Sequence, residues 1–124
     1  MTPAAPVMAH LDLLGHEPQT PRERADVYGL PFVDLRVERM DDAAADSIPL
    51  HVLNRARAVP YRFEDGRVKV AVVDPGNVGL IDELRIVSRH PVELAVAAPA
   101  DIDFELKRLA KGQEVAERAA VMGD

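Results

Sequence analysis

The chain is 124 residues long, 48% hydrophobic and 29% charged, with a net charge of −6, which accommodates one modest domain with tails but no second full domain. It has no cysteine, and this excludes disulfides, thiolate-bound zinc, iron–sulfur clusters and thiol nucleophiles together. Aromatic residues make up 4% of it, too few for the stacking platforms of single-stranded nucleic-acid binders, and the acidic balance opposes long-range attraction to phosphate backbones.

Pro3, Pro6, Pro18 and Pro21 crowd the N-terminus and keep regular structure there short, so residues 1–27 read as a tail. Within it Val7, Leu11 and Leu14, with Met8 beside them, predict a short amphipathic helix stopped at Gly15, which either covers the domain's own core or docks on a partner. The segment lacks a basic n-region and its apolar run is interrupted by Pro6, His10 and Asp12, so it is not expected to be a signal peptide. Nothing in the sequence approaches the roughly 20 apolar residues of a membrane span.

Tyr28 to Leu35 predicts a turn leading into a short strand, because Pro31 biases Leu30 to extended geometry. Ile48-Pro49 then opens a helix expected over residues 49–57, proline being well tolerated at a first helical position. Asp65-Gly66 between two β-rich runs predicts a hairpin with a type I′ turn. A two-residue loop pairs Glu64 with Arg67, Phe63 with Val68, Arg62 with Lys69, Tyr61 with Val70 and Val59 with Val72. One face then carries Val59, Tyr61, Phe63, Val68, Val70 and Val72 as core, and the other is polar and mostly basic.

Asp74-Pro75-Gly76-Asn77 reads as a turn in which Asn77 caps a helix running from Val78 towards His90, with Leu80, Ile81, Leu84 and Val87 on its apolar stripe. Val92 to Ala97 alternates as a half-buried strand. Pro99 opens a last helix that buries Ile102, Leu106 and Leu109 and sets Asp103 one turn before Lys107. Residues 111–124 read as a helical tail or linker. The expected fold is therefore α+β, a two-layer sandwich with a small, largely antiparallel sheet of three or four strands and helices packed on it, occupying residues 28–110.

Catalysis is not expected. The sequence contains no phosphate-binding Gly-Lys-Ser/Thr loop, nucleophile elbow or dinucleotide fingerprint. His10, His16, His51 and His90 fall at no recurring metal-ligand spacing, and the Asp74 turn offers a single carboxylate, so no metal or cofactor is predicted. Candidate partner-binding residues are Arg62, Arg67 and Lys69 on the basic hairpin face, where Arg62 and Lys69 sit directly opposite as like charges that an anionic partner would relieve. Arg55 and Arg57 extend that patch. Phe104 lies about 200° around the last helix from Ile102, off the buried stripe, and is a further contact candidate.

Leu30-Pro31-Phe32-Val33-Asp34-Leu35, Ile48-Pro49, the strand exit Val70-Ala71-Val72 with Asp74-Pro75, and Asp82-Glu83-Leu84-Arg85 recur here in an order that resembles the N-terminal domain of the ATPases driving type II secretion and type IV pilus assembly. The resemblance runs from about Tyr28 to Ala110. It implies a non-catalytic cytoplasmic domain that docks on or regulates the ATPase core, or binds an inner-membrane assembly protein and so becomes peripheral to that membrane. Composition and hydropathy, independently of the resemblance, predict no nucleic-acid partner and no direct membrane insertion. Some members of that family bind cyclic di-GMP through an upstream motif beginning Arg-Leu-Gly. Residues 1–27 contain no Arg-Leu-Gly, so that site is not carried over, and second-messenger sensing stands as the alternative function.

Overall fold

The computed structural model describes residues 20–122, without the side chains of Asp42 and of residues 113–122. The short helix expected over residues 7–14 lies outside the described residues. The elements are α1 (Pro21–Tyr28), α2 (Asp42–Ala45), α3 (Leu50–Ala56), β1 (Ala58–Glu64), β2 (Arg67–Val72), α4 (Val78–Val87), β3 (Val92–Val96) and α5 (Pro99–Met122).

Residues assigned to the tail by their proline content instead form α1. Thr20 accepts a hydrogen bond from the Glu23 amide at 3.1 Å while the Glu23 carboxylate accepts one from the Thr20 amide at 3.0 Å, a complete capping box with Pro21 as the first helical residue. Gly29, at φ +66°, closes the helix in the left-handed region. Ala25 is buried and the helix packs on β3, with Arg24 Nη1 donating to the Val73 carbonyl at 3.0 Å.

The α+β class expected from the pattern is the one formed, but the sheet is mixed rather than largely antiparallel. Its order is β1-β2-β3, with β1 antiparallel to β2 and β2 parallel to β3. The crossover through α4 makes the second pair parallel. The strand expected around Phe32 is reduced to a single parallel bridge between Phe32 and Val96. Val33 donates to the Val96 carbonyl and Val96 to the Pro31 carbonyl, but Pro31 has no N–H with which to continue the ladder.

The hairpin register holds from the turn outwards to Arg62 and Lys69, then slips. Tyr61 is bulged out of the ladder, so Pro60 pairs with Val70, Val59 with Ala71 and Ala58 with Val72. The pairings of Tyr61 with Val70 and of Val59 with Val72 are therefore corrected. Val59 joins Ala71 and Ala95 on the opposite face from Val68, Val70 and Val72. Both faces are covered at this end, since Val59, Ala71, Val70, Val72 and Ala95 are all buried. The core extends through Leu35, Ile48, Leu53, Leu84 and Ile102. Helix α5 runs unbroken through Gly112 to Met122, where a linker was one expected outcome.

Candidate docking surface

At the turn end of the hairpin the non-core face of the sheet is exposed and charged. Asp65 (φ +55°) and Gly66 (φ +74°) both adopt the left-handed conformation that the tight turn requires. Arg62 on β1 and Lys69 on β2 are cross-strand neighbours, as the turn predicts. They are not left in mutual repulsion. Arg62 is paired with Glu38 from the loop before α2, Lys69 Nζ lies 3.1 Å from Glu64 Oε1, and Arg67 Nη1 lies 3.0 Å from Glu93 Oε2 on β3. Three cations thus meet three carboxylates, and the face is charge-balanced rather than basic. The hydrogen bond from Lys69 to Glu64 raises the lysine pKa from its ordinary 10.5.

Between this face and the Pro31–Val33 segment lies a shallow cleft of about 440 Å³, walled by Phe32, Glu38, Tyr61, Arg62 and Lys69 among others. Tyr61 enters it because the bulge turns it out of the ladder. Its burial disfavours the phenolate and raises its pKa from 10.0. The Arg22 guanidinium stacks 4.3 Å above the Phe32 ring. The wall-forming Glu38 and the bulge at Tyr61 are absent from the sequence reading. Pro60 inside a strand run was the available signal for the bulge.

The remaining candidates do not extend this face. Arg55 is tied to Glu83 on α4, with its Nε donating to Oε1 at 3.1 Å, and Arg57 Nη2 donates to Asp103 on α5. Both therefore fasten α3 to its neighbours across the helical layer. Asp103 is consequently engaged with Arg57, not with Lys107 one turn on. Phe104 is 58% exposed, as its position around α5 predicts. Among the described residues there is no group of histidines and carboxylates able to hold a metal ion, and no helix long and apolar enough to cross a membrane.

Residues 28–116 match the family model of the MshEN domain. The chain belongs to the MshEN domain family. Among curated proteins this MshEN domain is similar to the type IV pilus assembly ATPase PilB of Myxococcus xanthus, 24% identical over 99 residues, and to the type II secretion system protein E of Xanthomonas campestris, 30% identical over 90 residues. These alignments cover 78% and 68% of the chain but only 18% and 16% of the two relatives. The fold is that of MshE solved with cyclic di-GMP (TM-score 0.68, 21% identity, 81% of this chain and 74% of the other). It is likewise that of the N-terminal domain of XpsE (TM-score 0.62, 28% identity, 82% and 73%).

Proposed function

We propose that this MshEN domain is a non-catalytic docking and regulatory domain of a secretion or pilus-assembly ATPase. It binds either the ATPase core or an inner-membrane assembly protein at the cytoplasmic face of the membrane. The observation that carries this reading is the likeness to the N-terminal domain of XpsE, in a family whose curated relatives here are a pilus ATPase and a secretion protein E. The sequence supports the non-catalytic half independently, since it holds no phosphate-binding loop. The exposed hairpin face with Arg62, Arg67 and Lys69 and, apart from that face, Arg55, Arg57 and Phe104 are the contact residues proposed from the sequence.

The test is isothermal titration of the purified chain with the ATPase core and with the cytoplasmic part of the assembly protein from the same genome. Saturable binding to one of them is the expected result. Absence of binding to both at concentrations well above 100 μM, on the order of the weakest specific contacts, sinks the reading.

A second reading, sensing of a nucleotide second messenger, is supported by the fold shared with MshE solved with cyclic di-GMP. It predicts a rise in Tm that grows with cyclic di-GMP concentration according to mass action. The docking reading predicts none.

A further inference from the structure

The hairpin cations are matched to carboxylates within the chain, but two lysines of α5 are not. The acids among the described side chains of α5 are all engaged. Asp101 lies 4.0 Å from Arg36, which it shares with Asp34, Asp103 holds Arg57 at 2.9 Å, and the buried Glu105 holds Arg108 at 2.6 Å. Lys107 stands one turn after Asp103 yet is left without it, because Arg57 takes that carboxylate. Lys111, one turn further on, likewise makes no ion pair among the described residues. Phe104, Lys107 and Lys111 fall within about 60° of one another around the helix, opposite the inward Ile102, Leu106 and Leu109. All three are exposed.

The outward stripe of α5 is therefore cationic in a chain of net charge −6, with an aromatic ring at its head and its flanking acids turned to Arg36 and Arg57. Covering the ring removes apolar surface from water, and the free cations are complementary to negative charge around whatever covers it. Building on the docking function proposed above, we infer that this stripe seats on an acidic face of the partner protein. Phe104 enters an apolar pocket there, and carboxylates at the rim of that pocket meet Lys107 and Lys111. The ring supplies affinity, and the charges supply orientation and rate. An anionic membrane fits the stripe less well. The chain as a whole is acidic, and Phe104 is the one large apolar side chain that the described stripe offers for insertion.

Two variants test the inference without threatening the fold. Phe104→Ala places a good helix former at an exposed helical position, and Lys107→Gln with Lys111→Gln removes charge without breaking an ion pair, so Tm is expected to hold in both. Arg39→Gln with Arg89→Gln removes the same charge from exposed residues elsewhere and serves as the control. In titrations of the full chain with the ATPase core and the assembly protein, Phe104→Ala is expected to weaken binding about tenfold. The double lysine variant is expected to weaken it and to flatten its dependence on salt, while the control stays near the wild-type value. If a partner binds wild type and both stripe variants equally, α5 is not the docking surface while the docking function stands. If the lysine variant and the control weaken binding alike, net charge rather than this stripe is responsible and the inference is overturned. If wild type binds neither protein, the docking function and the α5 assignment fall together. If wild type binds neither protein but sediments with vesicles containing phosphatidylglycerol, and Phe104→Ala does not, the stripe meets a membrane and the inference is equally overturned.

Discussion

Arg57 Nη2 lies 3.0 and 2.9 Å from the two carboxylate oxygens of Asp103, joining the residue that turns the chain out of α3 to the second turn of α5. Arg57 makes that turn at φ +51°, a left-handed conformation that costs an L-residue with a Cβ roughly 1–2 kcal/mol. The position therefore combines backbone strain with a useful side chain. Arg57→Ala removes the ion pair and keeps the strain, whereas Arg57→Gly removes both. Urea denaturation is expected to rank the glycine variant above the alanine variant by about 1 kcal/mol. The opposite order would show that the left-handed turn is not what limits this site.

Gly66 tests the hairpin in the same currency without a side chain to confuse it. Nothing lies within 4 Å of the Cβ that a substitution would add, so any penalty is conformational. Gly66→Ala is expected to lower stability by about 1 kcal/mol, seen as a fall in Tm of about 4–8 °C for a domain of this size. Asp65→Asn, which tolerates the left-handed region, should leave Tm almost unchanged.

Thr20→Ala should release the start of α1. The capping box satisfies two otherwise orphaned amides there, and its loss costs about 1 kcal/mol. The expected signature is local. Hydrogen exchange quickens at the Glu23 and Arg24 amides while the β2 amides keep their protection. Equal acceleration in both would mean that α1 and the sheet open as one unit.

Acid should weaken the fold through Glu83 and Asp34. A side-chain hydrogen bond from Arg55 holds Glu83 below its ordinary 4.5, and one from Arg36 holds Asp34 below its ordinary 3.8. Both groups are thus depressed in the folded state. Their contribution is complete above the unfolded values and is lost as pH falls through the folded ones. Glu83→Gln is expected to lower the urea midpoint modestly at pH 7, where the contribution of the pair is complete, and to flatten its decline below about pH 4.5, so that the two proteins converge in acid. An identical decline in both proteins would remove the Arg55–Glu83 pair from the acid response.

The sequence carried the hairpin, the caps of α4 and the inward residues of α5 because each rests on local chemistry: a turn dipeptide, an asparagine cap, a helical stripe. It failed where two local signals competed. Thr20-Pro21-Arg22-Glu23 is a complete helix start, and Gly29 a matching stop, but four nearby prolines and a helix with only Ala25 buried hid them. Val59-Pro60-Tyr61 is apolar throughout, so alternation could not reveal the slip at Tyr61. The pairing of Arg62 with Glu38 joins residues 24 positions apart through the path of an irregular loop, and no periodicity encodes it.

The single bridge between Phe32 and Val96 orders the assembly of the sheet in time. The hairpin of β1 and β2 closes over a two-residue turn and can form within microseconds. β3 can join only after α4 has folded back across the sheet, and the Phe32 bridge only after β3 is in place, because its partner lies 64 positions along the chain. Loop closure of that span precedes any reward from the contact, so the Phe32 segment is expected to join last and, by the same route, to open first, with hydrogen exchange at the Val33 amide faster than at the β2 amides.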